Sequence, residues 1–143
     1  MRETIDLDYL AAMSPPGGGR HEVSARLLRH FNIIFIASLS EEVLTRIFQT
    51  LIEDHLRRQQ IGGLCYNILR SAVPATVNVL LFVQAKLKPT PAKSHYIFSM
   101  REVDRTIQGM MRLKKDQVNN DDKKVIRLWI HEIGRVFSDR LAD

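Results

Sequence analysis

Cysteine is almost missing from this 143-residue sequence, where Cys65 stands alone. A single thiol excludes an internal disulfide framework and fits a reducing compartment. Metal-ligand spacing is missing as well. The five histidines, His21, His30, His55, His95 and His131, are scattered along the chain. His131-Glu132 is not the start of a zinc motif, because the second histidine would fall at Arg135. Neither G-x-x-x-x-G-K-[ST] nor G-x-G-x-x-G occurs. The stretch Pro15-Pro16-Gly17-Gly18-Gly19-Arg20 therefore lacks the lysine and hydroxyl of a phosphate cradle. It is also short for a linker and lies between two apolar runs. A rigid, tight connection fits it better, since proline fixes φ and glycine permits close backbone approach.

Long apolar runs are missing too. The most apolar window, "CYNILRSAVPATVNVLLFVQA", is interrupted by Asn67, Arg70, Pro74 and Asn78. A membrane span needs about 20 nearly uninterrupted apolar residues, so a buried helix is expected and no membrane partner. The N-terminal "MRETIDLDY" is polar, and no secretory leader is expected there. The net charge of +5 permits an acidic partner. Basic and acidic residues are interspersed, however, in "EEVLTRIFQTLIEDHLRRQQ" and "DDKKVIRLWIHEIGRVFSDRLAD". That mixing reads as solvated helix faces. No sheet-type RNA motif, zinc finger or basic zipper is present, so nucleic acid is not an expected partner.

What is there is mostly helix. "LDYLAAM" (7–13) and "FNIIFIAS" (31–38) read as two brief buried strands, with a short helix over about 23–30 between them. From Ser38 the period becomes helical. Ser38 and Glu41 have capping-box spacing, and Val43/Leu44, Ile47/Phe48, Leu51/Ile52 and Leu56 make one apolar face. Gly62-Gly63 breaks that helix. A second runs over about 64–87, with Pro74 expected to kink or interrupt it. After a proline-marked loop, Ser99 and Glu102 form another capping box, opening a helix over about 100–113 with Val103, Ile107, Met110 and Met111 inward. Asn119, Asn120 or Asp121 caps the last helix, over about 121–141. Its buried face is Val125, Trp129, Ile133, Val136/Phe137 and Leu141, and Trp129 and the methionines read as core. Two short strands cannot make a stable sheet alone, so they read as part of a larger parallel sheet.

Four blocks carry a resemblance: the leader "RETIDLDYLAAM", "AAMSPPGGGR…VSARLLRHFN", "LKPTPAKSHYIFSMREVDRTIQG" and "RLWIHEIGRVFSDRL". In this order they resemble the dynein heavy chain, in the third AAA+ module of its motor ring. The resemblance covers nearly the whole chain. It implies a mainly α fold: a helical AAA+ lid of four main helices, preceded by two strand-like segments of an incomplete α/β subdomain. Residues 1–38 would be the end of that subdomain, with its fourth and fifth strands, and residues 39–143 the lid. The glycine-rich segment falls where AAA+ proteins put their sensor I group. Ser14, His21 and Ala25 depart from the family's usual glycine, asparagine and proline.

The resemblance also implies site residues. Arg101, in "FSMREVDR", matches the sensor II arginine that reaches from the lid to the outer phosphates, with Arg105 one turn on as the fallback. A cation in a helix's first turn opposes the helix dipole, and an incoming phosphate reverses that cost. The structural alternative is a surface arginine paired with Glu102 or Asp104. Arg26 and Arg29 precede the fifth strand, where AAA+ rings place an arginine facing the neighbouring module's nucleotide, although the usual finger position falls on Asn32. No catalytic or metal-binding residue is expected. The chain alone is expected to hold no cofactor and to turn over no ATP, while the complete module would bind ATP or ADP with Mg²⁺. Implied partners are the neighbouring AAA+ modules of the same heavy chain and, through the full protein, the dynein complex and microtubules. The implied place is the cytoplasmic cytoskeleton, in a cilium or flagellum axoneme. The competing reading is a small basic helical scaffold or nucleic-acid-binding protein, whose DNA binding would fall steeply with salt. A stand-alone ATPase is the third, which the missing P-loop opposes.

Overall fold

The computed structural model describes residues 6–14, 21–118 and 121–141. It separates into two units, Met1–Ala37 and Ser38–Asp143. The glycine-rich segment 15–20 and the cap candidates Asn119 and Asn120 lie outside the described residues.

The first unit holds one helical turn, α1 (Ala25–Leu28), opened by Ser24. The two expected strands, 7–13 and 31–38, do not form, and no strand occurs among the described residues. Their apolar side chains stand open, with Ile34 84% and Ile36 81% exposed. The cause is the one that makes short strands marginal anywhere. A strand exists through hydrogen bonds to a neighbour, and neither segment is paired with one.

The second unit is helical because each helix has an apolar stripe with a face to meet. α2 (Glu41–Arg58) starts at Ser40, whose hydroxyl accepts the Val43 N–H. The cap is thus Ser40, not Ser38, which leaves Glu41 as the first helical residue instead of the third. Leu44, Phe48, Ile52 and Leu56 are buried, while Val43, Ile47 and Leu51 stay exposed. The helix stops before the glycines. Gln60 takes a left-handed conformation (φ 53°), Gln60 N–H bonds Arg57 C=O at 3.1 Å, and Ile61 N–H bonds Leu56 C=O at 3.0 Å. That pair of bonds is a Schellman closure, and Ile61 and Leu56 are both buried, as its hydrophobic contact requires.

α3 (Gly63–Lys86) is the central helix, packed on α2, on α4 (Met100–Met110) and on α6 (Asp122–Val136). Cys65, Leu69, Ala72, Val73, Val77 and Leu80 face this core. Pro74 lies inside α3 without ending it. Trp129 of α6 is half-buried and donates its indole N–H to Thr76 Oγ1 of α3 at 3.0 Å, while the Thr76 hydroxyl donates to Ala72 C=O at 2.7 Å. α4 ends at Met110 rather than near 113, and one short turn, α5 (Lys115–Val118), follows. Asp121 caps α6, accepting the Lys123 N–H at 3.1 Å. α6 gives way after Val136 to a 3₁₀ turn, Ser138–Arg140. That change of winding leaves Leu141, expected in the core, 48% exposed.

Candidate functional site

The first turn of α4 is the most strongly organised polar feature of the second unit. Ser99 opens it with both halves of a capping box. Its hydroxyl accepts the Arg101 N–H at 3.3 Å, and its own N–H donates to Glu102 Oε2 at 2.6 Å. The Ser99 hydroxyl also donates to Glu102 Oε2 at 3.1 Å. The other carboxylate oxygen, Oε1, is held by Arg140 Nη1 at 2.7 Å. Arg140 comes from the 3₁₀ turn at the end of the chain, and its side chain is 30% exposed against 5% for Glu102. Its Nη2 donates to two carbonyls of the loop entering α4, His95 at 2.9 Å and Ile97 at 3.1 Å. The guanidinium also lies 4.7 Å over the Phe98 ring. Phe98 in turn stacks on Phe137, which precedes the 3₁₀ turn.

Burial by itself would raise the Glu102 carboxyl. The Ser99 N–H and hydroxyl, and then the Arg140 charge, outweigh it and hold the group below its ordinary value. Glu102 is therefore an anion with both carboxylate oxygens hydrogen-bonded.

That leaves Arg101 without a local partner. It is exposed at the second position of α4, and among the described residues it enters no ion pair. Glu102 is committed to Ser99 and Arg140, and Asp104 accepts from Gln108 Nε2 at 2.8 Å. Arg105 is exposed four residues on, so the two arginines share one helix face. Two exposed cations on one face of the N-terminal half of α4 suit a phosphate group, and the helix dipole adds to their charge. In the first unit, Arg26 lies on α1 and Arg29 just after it, both exposed, and Arg29 Nε donates to His30 Nε2 at 3.2 Å.

Other reactive side chains point away from chemistry. Cys65 is buried, and desolvation, then Asp122 and Asp121, push its thiol up, the direction of an inert cysteine. No group of three His, Cys, Asp or Glu placed to hold a metal occurs among the described residues. An open apolar groove of about 320 Å³ lies between α3 and α6, walled by Ser71, Ala75, Ile126 and Trp129 among others.

Arg140 and its contacts are what the sequence did not disclose. Glu102 is legible as a capping residue, but its partner is 38 residues away. The only available signal is that Arg140 sits in the block "RLWIHEIGRVFSDRL", quoted above for other reasons.

The helical unit has the make-up of an ATPase lid domain, and comparison with known proteins shows that class. The profile "Dynein heavy chain, ATPase lid domain" matches residues 66–143, and "P-loop containing dynein motor region" matches residues 1–39. The chain belongs to the dynein heavy chain family and corresponds to a stretch of its motor region. Relatives include dynein axonemal heavy chain 12 of Mus musculus, 41% identical over 97% of this chain and 4% of the relative. Dynein axonemal heavy chain 3 of Homo sapiens is 39% identical over 99% of this chain and 3% of its own length. Dynein axonemal heavy chain 2 of Mus musculus is 43% identical over 96% of this chain and 3% of its own. The chain thus spans only a few per cent of the curated relatives it matches. No solved structure matches it. The scaffold and nucleic-acid readings find no support in these comparisons.

Proposed function

We propose that residues 39–143 are the helical lid of the third AAA+ module of a dynein motor ring, and residues 1–38 the end of that module's α/β subdomain. In this reading Arg101 contacts the outer phosphates of ATP or ADP bound with Mg²⁺ in the complete module, and Arg105 supports it on the same face. Arg26 and Arg29 face the nucleotide of the adjoining module. The match of residues 1–39 to a P-loop motor region supports a nucleotide in the full protein. The full heavy chain would be an ATP-driven microtubule motor. Its partners would be the adjoining modules, the dynein complex and microtubules, in the axoneme of a cilium or flagellum. The axonemal names of the relatives support that location.

One observation carries the reading. Arg101 is exposed at the start of α4 and enters no ion pair among the described residues, while the buried Glu102 beside it is held by Ser99 and Arg140. A charge-assisted bond to phosphate contributes roughly 1.5–3 kcal/mol, so Arg101→Ala should weaken nucleotide binding at this module about tenfold or more. Folding should barely change, since Arg101 lies off the stripe of Val103, Ile107 and Met110 and its loss opens no cavity. The test is ADP affinity at this module in a complete motor with the other sites disabled, beside a melting curve. Unchanged affinity with unchanged stability would return Arg101 to an ordinary surface arginine.

A further inference from the structure

The geometry points to Arg140 as the positioning residue that fixes the helix turn carrying Arg101. The inference rests on the phosphate-contact reading of Arg101 and adds to it a residue at the far end of the lid. Arg140 has three holds on the start of α4. Nη1 takes Glu102 Oε1 at 2.7 Å, Nη2 takes the carbonyls of His95 and Ile97 at 2.9 and 3.1 Å, and the guanidinium plane covers Phe98. The loop that leads into Ser99 and the third residue of α4 are thereby fastened to one side chain. A planar fork makes such simultaneous contacts, whereas a lysine ammonium is a single point charge. With the loop and the first turn fixed, Arg101 projects from a rigid base, and less ordering remains to be done when phosphate binds.

The second consequence is electrostatic. Glu102 is buried and charged, so it must have a cationic partner. Arg140 supplies it. Were Arg140 lost, Glu102 would be a buried charge without its cation, and the capping box it makes with Ser99 at the start of α4 would loosen. Arg101 would then project from a loosened first turn rather than a fixed one. Because Arg140 closes the 3₁₀ turn that follows α6, the state of that turn and the readiness of Arg101 are linked.

The test is a double-mutant cycle in a complete dynein motor carrying this segment, with the other nucleotide sites disabled and ADP as the probe. Arg101→Ala should weaken ADP about tenfold, and Arg140→Met should weaken it severalfold. The double variant should bind no more weakly than Arg101→Ala alone, because Arg140 acts through Arg101. Arg140→Lys keeps a charge for Glu102 and folds under milder strain. It should fall between the native motor and Arg140→Met. A purely structural Arg140 would lower the melting temperature and leave the ADP affinity of the folded motor untouched. Full affinity in both Arg140 variants, with Arg101→Ala impaired, overturns this inference and leaves the Arg101 reading standing. Additive losses in the double variant overturn it as well. Full affinity in Arg101→Ala overturns both.

Discussion

A Cβ on Gly109 would collide with Cδ and Oε2 of Glu132 and stand 2.8 Å from its Cγ. Gly109 is buried on α4 and Glu132 is buried on α6, where Arg135 holds the carboxylate. The absent side chain of Gly109 is thus the space that the carboxyl end of Glu132 occupies. Gly109→Ala should destabilise the lid by about 1–2 kcal/mol, the overpacking cost less the helix propensity that alanine returns. With Glu132→Ala in the background the same change should be neutral or stabilising. Urea unfolding of the four variants checks this, and a stabilising Gly109→Ala in the native background would contradict the packing described.

The Glu102 carboxyl titrates below its ordinary value in the folded lid. A carboxyl depressed by folding adds stability that is fully present above its unfolded value of about 4.3–4.5 and is lost as pH falls through the lower folded value. Glu102→Gln should therefore cost most near neutrality. Its deficit against the native chain should shrink as unfolding is followed from about pH 6 to about pH 3. A deficit that stays constant across that range would show that the carboxyl is not held as an anion by Ser99 and Arg140.

Gln60 closes α2 with a left-handed backbone at φ 53°. That conformation costs a non-glycine residue roughly 1–2 kcal/mol, and glycine relieves it at a smaller loss in unfolded-chain entropy. Gln60→Gly should stabilise the chain by about 0.5 kcal/mol. The long 3.4 Å contact from Lys115 to the Gln60 side chain is exposed and subtracts little. A measured destabilisation in urea would mean that the Schellman closure is not the native end of α2.

Much of the helical unit was legible because helices advertise themselves locally. The stripe of Leu44, Phe48, Ile52 and Leu56 and the Ser99/Glu102 box need no information from elsewhere in the chain. What was misread depended on distant partners or on close alternatives. Ser38 and Ser40 compete for one cap two residues apart, and spacing to Glu41 favoured the wrong one. The runs 7–13 and 31–38 have strand composition, but a strand is completed by neighbours that composition does not supply. Leu141 continues the α6 period, yet the helix tightens to 3₁₀ after Val136, and periodicity cannot show where winding changes. Arg101 and Arg105 were reached through resemblance, and the structure adds that both are exposed on α4. Arg140, which pairs with Glu102, was hidden by its distance along the chain.

The most direct test of the central claim is an experimental structure of the nucleotide-bound motor in which this lid is seen beside its own module's phosphates. The account predicts an Arg101 guanidinium nitrogen within about 2.7–3.2 Å of an outer phosphate oxygen, with Glu102 still held by Arg140. An Arg101 turned to solvent, or bonded to a carboxylate while the phosphates are met by other groups, would contradict it.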